Sequence, residues 1–122
     1  MEEPYDTPAS STDQGSAVMY ILRMAVAAMT WEKLPPGFDS PVGRWRHTAS
    51  LVRGTELVVF GGYHTLDQRL NDTWVFDCVS RFWRQPRIDS PPQQTPSPRA
   101  AHSAVVFGEM IYIFGGYGGN LI

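Results

Sequence analysis

The sequence runs to 122 residues, enough for one small domain with a modest core. Twelve acidic residues against ten basic ones (nine Arg and one Lys, scattered) give a formal charge of −2, which argues against broad electrostatic binding to nucleic acid. Apolar residues make up 43%, ordinary for a globular chain, while eleven Gly and ten Pro favour strands and turns over helices.

Residues 1–16 are polar, rich in Ser, Pro, Asp and Thr, and read as a disordered tail. The run SAVMYILRMAVAAMTW (16–31) is broken by Arg23 and is too short to span a bilayer, so no membrane segment is expected. The residues before it carry Glu2, Glu3, Asp6 and Asp13 and no Lys or Arg, whereas a secretory signal wants a positive start. MYILR (19–23) suits a strand, yet Ala, Leu, Met and Arg also favour helix, and both readings stay open for 18–28. MTWEKLPPG (29–37) reads as a closing strand, which makes 17–43 the last strands of a unit begun earlier.

From residue 44 the pattern becomes regular. TASLVRGTELVVFGG (48–62) holds two apolar runs parted by Gly54-Thr55, a hairpin signal. TWVFD (73–77) supplies a third strand and FWRQPR (82–87) a fourth, so 44–87 is expected to form a four-stranded antiparallel sheet. YHTLDQRL (63–70) is left as a loop. Cys78 is the single cysteine, which excludes an internal disulfide, reads as a small buried or half-buried residue, and leans toward a reducing, cytoplasmic location. Residues 88–98 form a Pro-rich connector, and SAVVFGEMIYIFGG repeats the hairpin design within 99–122.

The spacings mark a repeat. Arg44 and Arg99 each lie three residues before a histidine, His47 and His102. Gly61-Gly62 recurs as Gly115-Gly116, a shift of 54, and Trp31 recurs as Trp83, a shift of 52. A loop absorbs such small variation, whereas a strand would turn its faces over. Four short strands in about fifty residues suit a β-propeller blade. The ordered set Arg44, His47, Gly61-Gly62, Asn71-Asp72, Trp74, Asp77 and Trp83, resuming at Arg99, His102 and Gly115-Gly116, resembles the kelch motif over about residues 29–120.

That resemblance implies an all-β fold of kelch-type blades, here an incomplete propeller. It holds one complete blade, 44–87, with part of one before and the opening hairpin of one after. A closed ring needs about four to eight blades, so the chain reads as a fragment, a truncated chain, or one that self-associates through uncovered sheets. The double glycines read as tight bends where a strand ends. Trp83 is expected to pack between blades, with Tyr63 in a loop. Arg44, Arg99, Asp77, His47 and His102 recur or define the repeat, which suits structural pairing better than catalysis, needed only once. No catalytic residue, cofactor or metal site is expected.

The family resemblance implies a module that binds another protein through its inter-strand loops, as many kelch scaffolds and adaptors do. The loop with Tyr63, His64, Asp67 and Arg69 is the candidate contact. The alternative is a piece of a propeller enzyme similar to galactose oxidase, whose metal ligands would lie in other blades. Nothing resembles the BTB and BACK domains usual in ligase adaptors of this class.

Overall fold

Alternation marks the opening strand of the central sheet. In β3 (Thr48–Val52) Ser50 and Val52 are buried while Ala49 and Leu51 are exposed, the two-residue period of a strand with one face covered. This computed structural model describes residues 18–35 and 39–118, so the tail expected over 1–16 lies outside the described residues. Its elements, in order, are β1 (Tyr20–Met24), β2 (Met29–Lys33), β3, β4 (Glu56–Thr65), β5 (Gln68–Asp77), β6 (Trp83–Arg84), β7 (Arg99–Ala100), β8 (Ser103–Phe107), β9 (Met110–Phe114) and β10 (Tyr117–Gly118). One 3₁₀ turn, Pro92–Gln94, interrupts the connector, and no α-helix occurs among the described residues.

The central sheet is four-stranded and antiparallel in the order β3-β4-β5-β6. Two-stranded pairs β1-β2, β8-β9 and β7-β10 flank it in sequence. The open choice over 18–28 resolves as strand: β1 pairs with β2 from Tyr20↔Lys33 to Met24↔Met29. Cross-strand hydrogen bonding overrides the helix propensity of its Ala, Leu and Met residues. The hairpin meets the central sheet through the exposed Arg81–Glu32 ion pair at 2.9 Å, and Trp31 is 69% exposed.

The hairpin turns explain the shifting repeat. In the first, Val52 faces Glu56 across Arg53-Gly54-Thr55; in the second, Phe107 faces Met110 across Gly108-Glu109. The extra residue sits in the turn, so strand faces stay in register.

Three strand boundaries differ from the expectation. β4 continues past Phe60 to Thr65, and β5 already begins at Gln68, so 63–70 is the end of a long hairpin and only Leu66-Asp67 turns. The glycines do not end the strand. Gly61 and Gly62 hold φ of 66° and 99°, and the register slips between Phe60 and Gly62, where Asn71-Asp72 of β5 stand opposite the single Gly61, a bulge that bends the strand pair and lets it resume. The fourth strand is shorter than 82–87, because Pro86 has no N–H to continue the ladder.

The small core is Val52, Val59, Phe60, Val75, Phe76 and Ala100. Thr48, Ser50, Val52, Val58 and Phe60 share the face that looks toward β8-β9, since cross-strand partners share a face. His102, only 7% exposed, seals this joint: its Nε2 shares a 2.8 Å hydrogen bond with the Thr48 hydroxyl, and its ring meets Phe60 edge-on. Trp83 is half-buried and packs on Phe76 of its own sheet at 5.0 Å.

Two outcomes follow from this packing. A Cβ on Gly62 would stand 2.8 Å from the Trp45 carbonyl oxygen and 2.9 Å from His47 Cβ, whereas a Cβ on Gly54 meets nothing within 4 Å. Both hold positive φ. Gly54→Ala is therefore expected to cost about 1–2 kcal/mol of backbone strain, and Gly62→Ala at least about 3 kcal/mol. Urea denaturation compares them, and equal losses would contradict the close packing at the bulge. The second outcome concerns His102, whose pKa burial lowers first and the Arg99 charge lowers further. A depressed folded value means that the unfolded chain binds more protons below pH 6.5. The stabilisation is complete above that pH and is lost as pH falls toward the folded value. Stability measured from pH 7.5 to 5 should fall less steeply in His102→Gln than in the parent; His47, shifted the same way by burial and then by Arg44, leaves a residual slope. An unchanged slope would count against the buried neutral imidazole.

Candidate functional site

Arg44 is the most constrained charge in the structure, its side chain 2% exposed. Nε donates to the Val42 carbonyl at 3.2 Å and Nη1 to the Gly61 carbonyl at 3.1 Å. The fork closes on Asp72, with Nη1–Oδ1 at 2.6 Å and Nη2–Oδ2 at 2.9 Å. Trp74 Nε1 donates to the same Oδ2 at 2.9 Å. Burial is the largest influence on Asp72 and pushes its pKa up. The Arg44 hydrogen bonds and charge, with the Trp74 indole, outweigh it and hold the carboxyl below its ordinary value.

Arg99 repeats half of this. Its Nε donates to the Ser97 carbonyl at 3.1 Å and its Nη1 to the Gly115 carbonyl at 3.0 Å. Gly116 packs against Ala100 and His102 just as Gly62 packs against Trp45 and His47. Asn71 reaches the Pro96 carbonyl at 3.4 Å. Asp77 caps the turn after β5: its Oδ1 accepts the Ser80 and Val79 N–H groups at 3.0 and 2.8 Å, which lowers its pKa. Cys78 sits in that turn and is exposed, not buried as its residue type suggested, because the capped turn carries it away from the sheet.

The four residues of the expected contact loop divide between strand and turn. Tyr63 and His64 lie near the end of β4, Arg69 lies near the start of β5, and only Asp67 is at the tip. Tyr63 and Arg69 are direct cross-strand partners, and the guanidinium carbon lies 5.6 Å from the Tyr63 ring centre. On its other side Tyr63 bridges to Trp45 through two backbone hydrogen bonds of 2.8 and 3.0 Å. Their rings stack at 5.3 Å. His64 Nδ1 donates to the Gly43 carbonyl at 2.8 Å. Trp45–Tyr63–Arg69 is thus one row across three adjacent chain segments, with Trp45 41% exposed and Leu66 at the tip 86% exposed.

Trp45 is the residue that sequence reasoning missed. The available signal is a departure from the repeat: the position after Arg99 is Ala100, while the position after Arg44 is Trp45. Tyr63, by contrast, recurs as Tyr117. Shared motif residues hold the blade together, so the side chain that one unit has and the next lacks is free for another task.

A cleft of about 770 Å³ opens between the central sheet and β8-β9, where a four-stranded sheet faces a two-stranded one. Phe60, Thr73, Ile111 and Ile113 line it, with Gln94 and Ser97 of the connector. Among the described residues no three His, Cys, Asp or Glu side chains converge as a metal site, and no helix is long and apolar enough to cross a membrane.

Comparison with known proteins matches residues 9–121 to the KLHDC2/KLHL20/DRC7 Kelch-repeats domain. Among curated proteins, an F-box/kelch-repeat protein of Arabidopsis thaliana is 35% identical over 105 residues, covering 83% of this chain and 21% of that protein. The human kelch domain-containing protein 3 is 33% identical over 98 residues, 74% of this chain and 25% of its own length. The chicken Rab9 effector protein with kelch motifs is 37% identical over 97 residues, 75% and 24% respectively. The chain therefore spans a quarter or less of these relatives. With a family model across most of its length, and with the bulge glycines and arginine anchors recurring in its structure, this chain belongs to the kelch-repeat family.

Proposed function

We propose that this chain is a protein-binding part of a kelch β-propeller, without catalytic activity of its own and acting in the cytoplasm. The observation that carries the reading is the Trp45–Tyr63–Arg69 row at one end of the central sheet. In a closed propeller the sheet faces are taken up by packing, whereas strand ends and turns face outward. Trp, Tyr and Arg are the residue types that dominate binding hot spots, and a stacked aromatic pair loses little side-chain freedom on contact. Asp67 and Leu66 at the tip add a charge and an apolar knob beside it. One relative is named as a Rab9 effector protein, which supports the same class of task.

Self-association is a second reading, favoured by one face. Val105, Phe107, Tyr112 and Phe114 are 53–81% exposed on β8-β9. Their repeat equivalents, Ser50, Val52, Val58 and Phe60, form the face of the central sheet that looks onto β8-β9. A second copy could cover the exposed set with the opposite face of its own β3-β4, which carries Ala49, Leu51 and Leu57.

Binding is tested with a partner identified by affinity capture on the full protein that contains these residues. Trp45→Ala and the pair Tyr63→Ala with Arg69→Ala should weaken that partner at least tenfold. Arg87→Ala and Gln94→Ala, on exposed residues elsewhere, should leave it unchanged. Thermal melts run alongside separate lost contact from lost fold, and equal affinities across all four would remove this end of the sheet from the interface. For self-association, sedimentation velocity of the 122-residue chain should show mass rising with concentration, and Phe107→Ser should reduce it. A monomer at all concentrations would exclude that reading.

A further inference from the structure

The connector between β6 and β7 holds three Ser/Thr-Pro steps: Ser90-Pro91, Thr95-Pro96 and Ser97-Pro98. A hydroxyl residue followed by proline, with its fixed φ and missing N–H, is the step that proline-directed protein kinases modify. By sequence the three are equivalent, and the fold separates them.

Thr95 and Ser97 are held. The half-buried Thr95 donates its hydroxyl to the Pro91 carbonyl and its N–H to the Pro92 carbonyl, both at 3.3 Å, which closes the 3₁₀ turn. Asn71 then reaches the Pro96 carbonyl at 3.4 Å. Ser97 accepts twice from Arg99, at its hydroxyl from Nη2 and at its carbonyl from Nε, each at 3.1 Å. Its hydroxyl also packs on the backbone of β10, where a Cβ on Gly118 would stand 2.9 Å away.

Ser90 is free of such ties. Residues 85–91 belong to no strand or helix, and 87–94 are exposed without interruption. The Ser90 hydroxyl has no hydrogen-bond partner among the described residues. Pro91 is extended, with φ of −64° and ψ of 153°, the shape in which a kinase cleft takes a substrate chain. The Arg87–Asp89 ion pair beside it, at 2.7 Å, is exposed, hence weak, and spares the hydroxyl.

We propose that Ser90 is a phosphorylation site, the substrate of a proline-directed protein kinase, singled out from the three steps by the fold. Ser90 Oγ attacks the γ-phosphorus of ATP. The new Oγ–P bond forms as the bond to the β–γ bridging oxygen breaks; ADP leaves, and the hydroxyl proton passes to the kinase's carboxylate base. The phosphate brings about −1.5 to −2 charges and three acceptor oxygens. It repels the neighbouring Asp89 and draws the Arg87 guanidinium to itself, so the connector becomes an acidic surface. This site is separate from the Trp45–Tyr63–Arg69 row and does not depend on it.

The test uses the full protein that contains these residues, so that every strand around the connector is present. With a purified proline-directed kinase and ATP, phosphate on each of the three residues is followed by mass spectrometry. The same kinase acts on a synthetic peptide of residues 84–100, which lacks the fold. The ratio of Ser90 modification to that of Thr95 and Ser97 should be about tenfold or more higher in the protein than in the peptide. In cells that express the protein, Ser90 should carry phosphate. Pro91→Ala should remove most of it and Arg87→Ala should not. The same ratio in protein and peptide, or phosphate in cells only on Thr95 or Ser97, would overturn the proposal. So would no phosphate in cells on any of the three, or loss with Arg87→Ala and not Pro91→Ala, which would assign Ser90 to a kinase that reads a basic residue.

Discussion

The buried ion pair between Arg44 and Asp72 is the constraint from which the central sheet takes its shape. A guanidinium that is nearly sealed from water is tolerable only where its donors find acceptors. Those acceptors come from three separate places: the segment before the blade, the bend of β4 at Gly61, and the start of the apolar half of β5. Removing either partner would leave an uncompensated charge, typically a loss of about 3–5 kcal/mol. The pair therefore fixes one relative arrangement of the three segments. Trp74 ties its indole into the same carboxylate, so a large aromatic on β5 is oriented by the same group.

The bulge is the backbone's answer to that demand. Gly61 must offer its carbonyl to Arg44 while its chain passes within van der Waals reach of the next unit; a Cβ there would stand 2.8 Å from the Arg99 carbonyl oxygen. A left-handed glycine meets both conditions, and the strand continues beyond it. That continuation bears on the proposed binding surface. It lengthens the hairpin so that Tyr63 and Arg69 become rigid cross-strand neighbours instead of loop residues. An interaction surface held on paired strands is better positioned than one on a free loop, which lowers the ordering cost of binding.

The joint between the central sheet and β8-β9 depends on small residues and one imidazole. Thr48, Ser50, Ala104 and Val106 let the two sheets approach where β3 meets β8, and His102 adds a polar link between them. Farther out the same two sheets diverge, because one has four strands and the other two, and the cleft opens there. Exposed Val105, Phe107, Tyr112 and Phe114 on the far side repeat the chemistry of the covered face. The chain is built as links of a series, each with a face to give and a face to receive.

Much of this was legible in the residues. Short apolar runs parted by Gly54-Thr55, and again by Gly108-Glu109, determined the hairpins, because such runs pair as strands across a tight turn. The recurrence of Arg-x-x-His and Gly-Gly at nearly constant spacing determined the repeat and, with it, the family. Tertiary structure alone decided the rest. A glycine pair reads equally as a strand end or as a bulge, and only the pairing beyond it, Gly62↔Leu70 and Tyr63↔Arg69, decides between them. The segment around Tyr20–Met24 has residues fit for either helix or strand, and the partner strand Met29–Lys33 chose. Trp45 gained its place on the surface row through hydrogen bonds to a residue eighteen positions away, which local pattern cannot reveal. Local sequence determines periodicity and turn chemistry, because those act between near neighbours; which edges meet is settled by contacts that form only when distant segments are brought together.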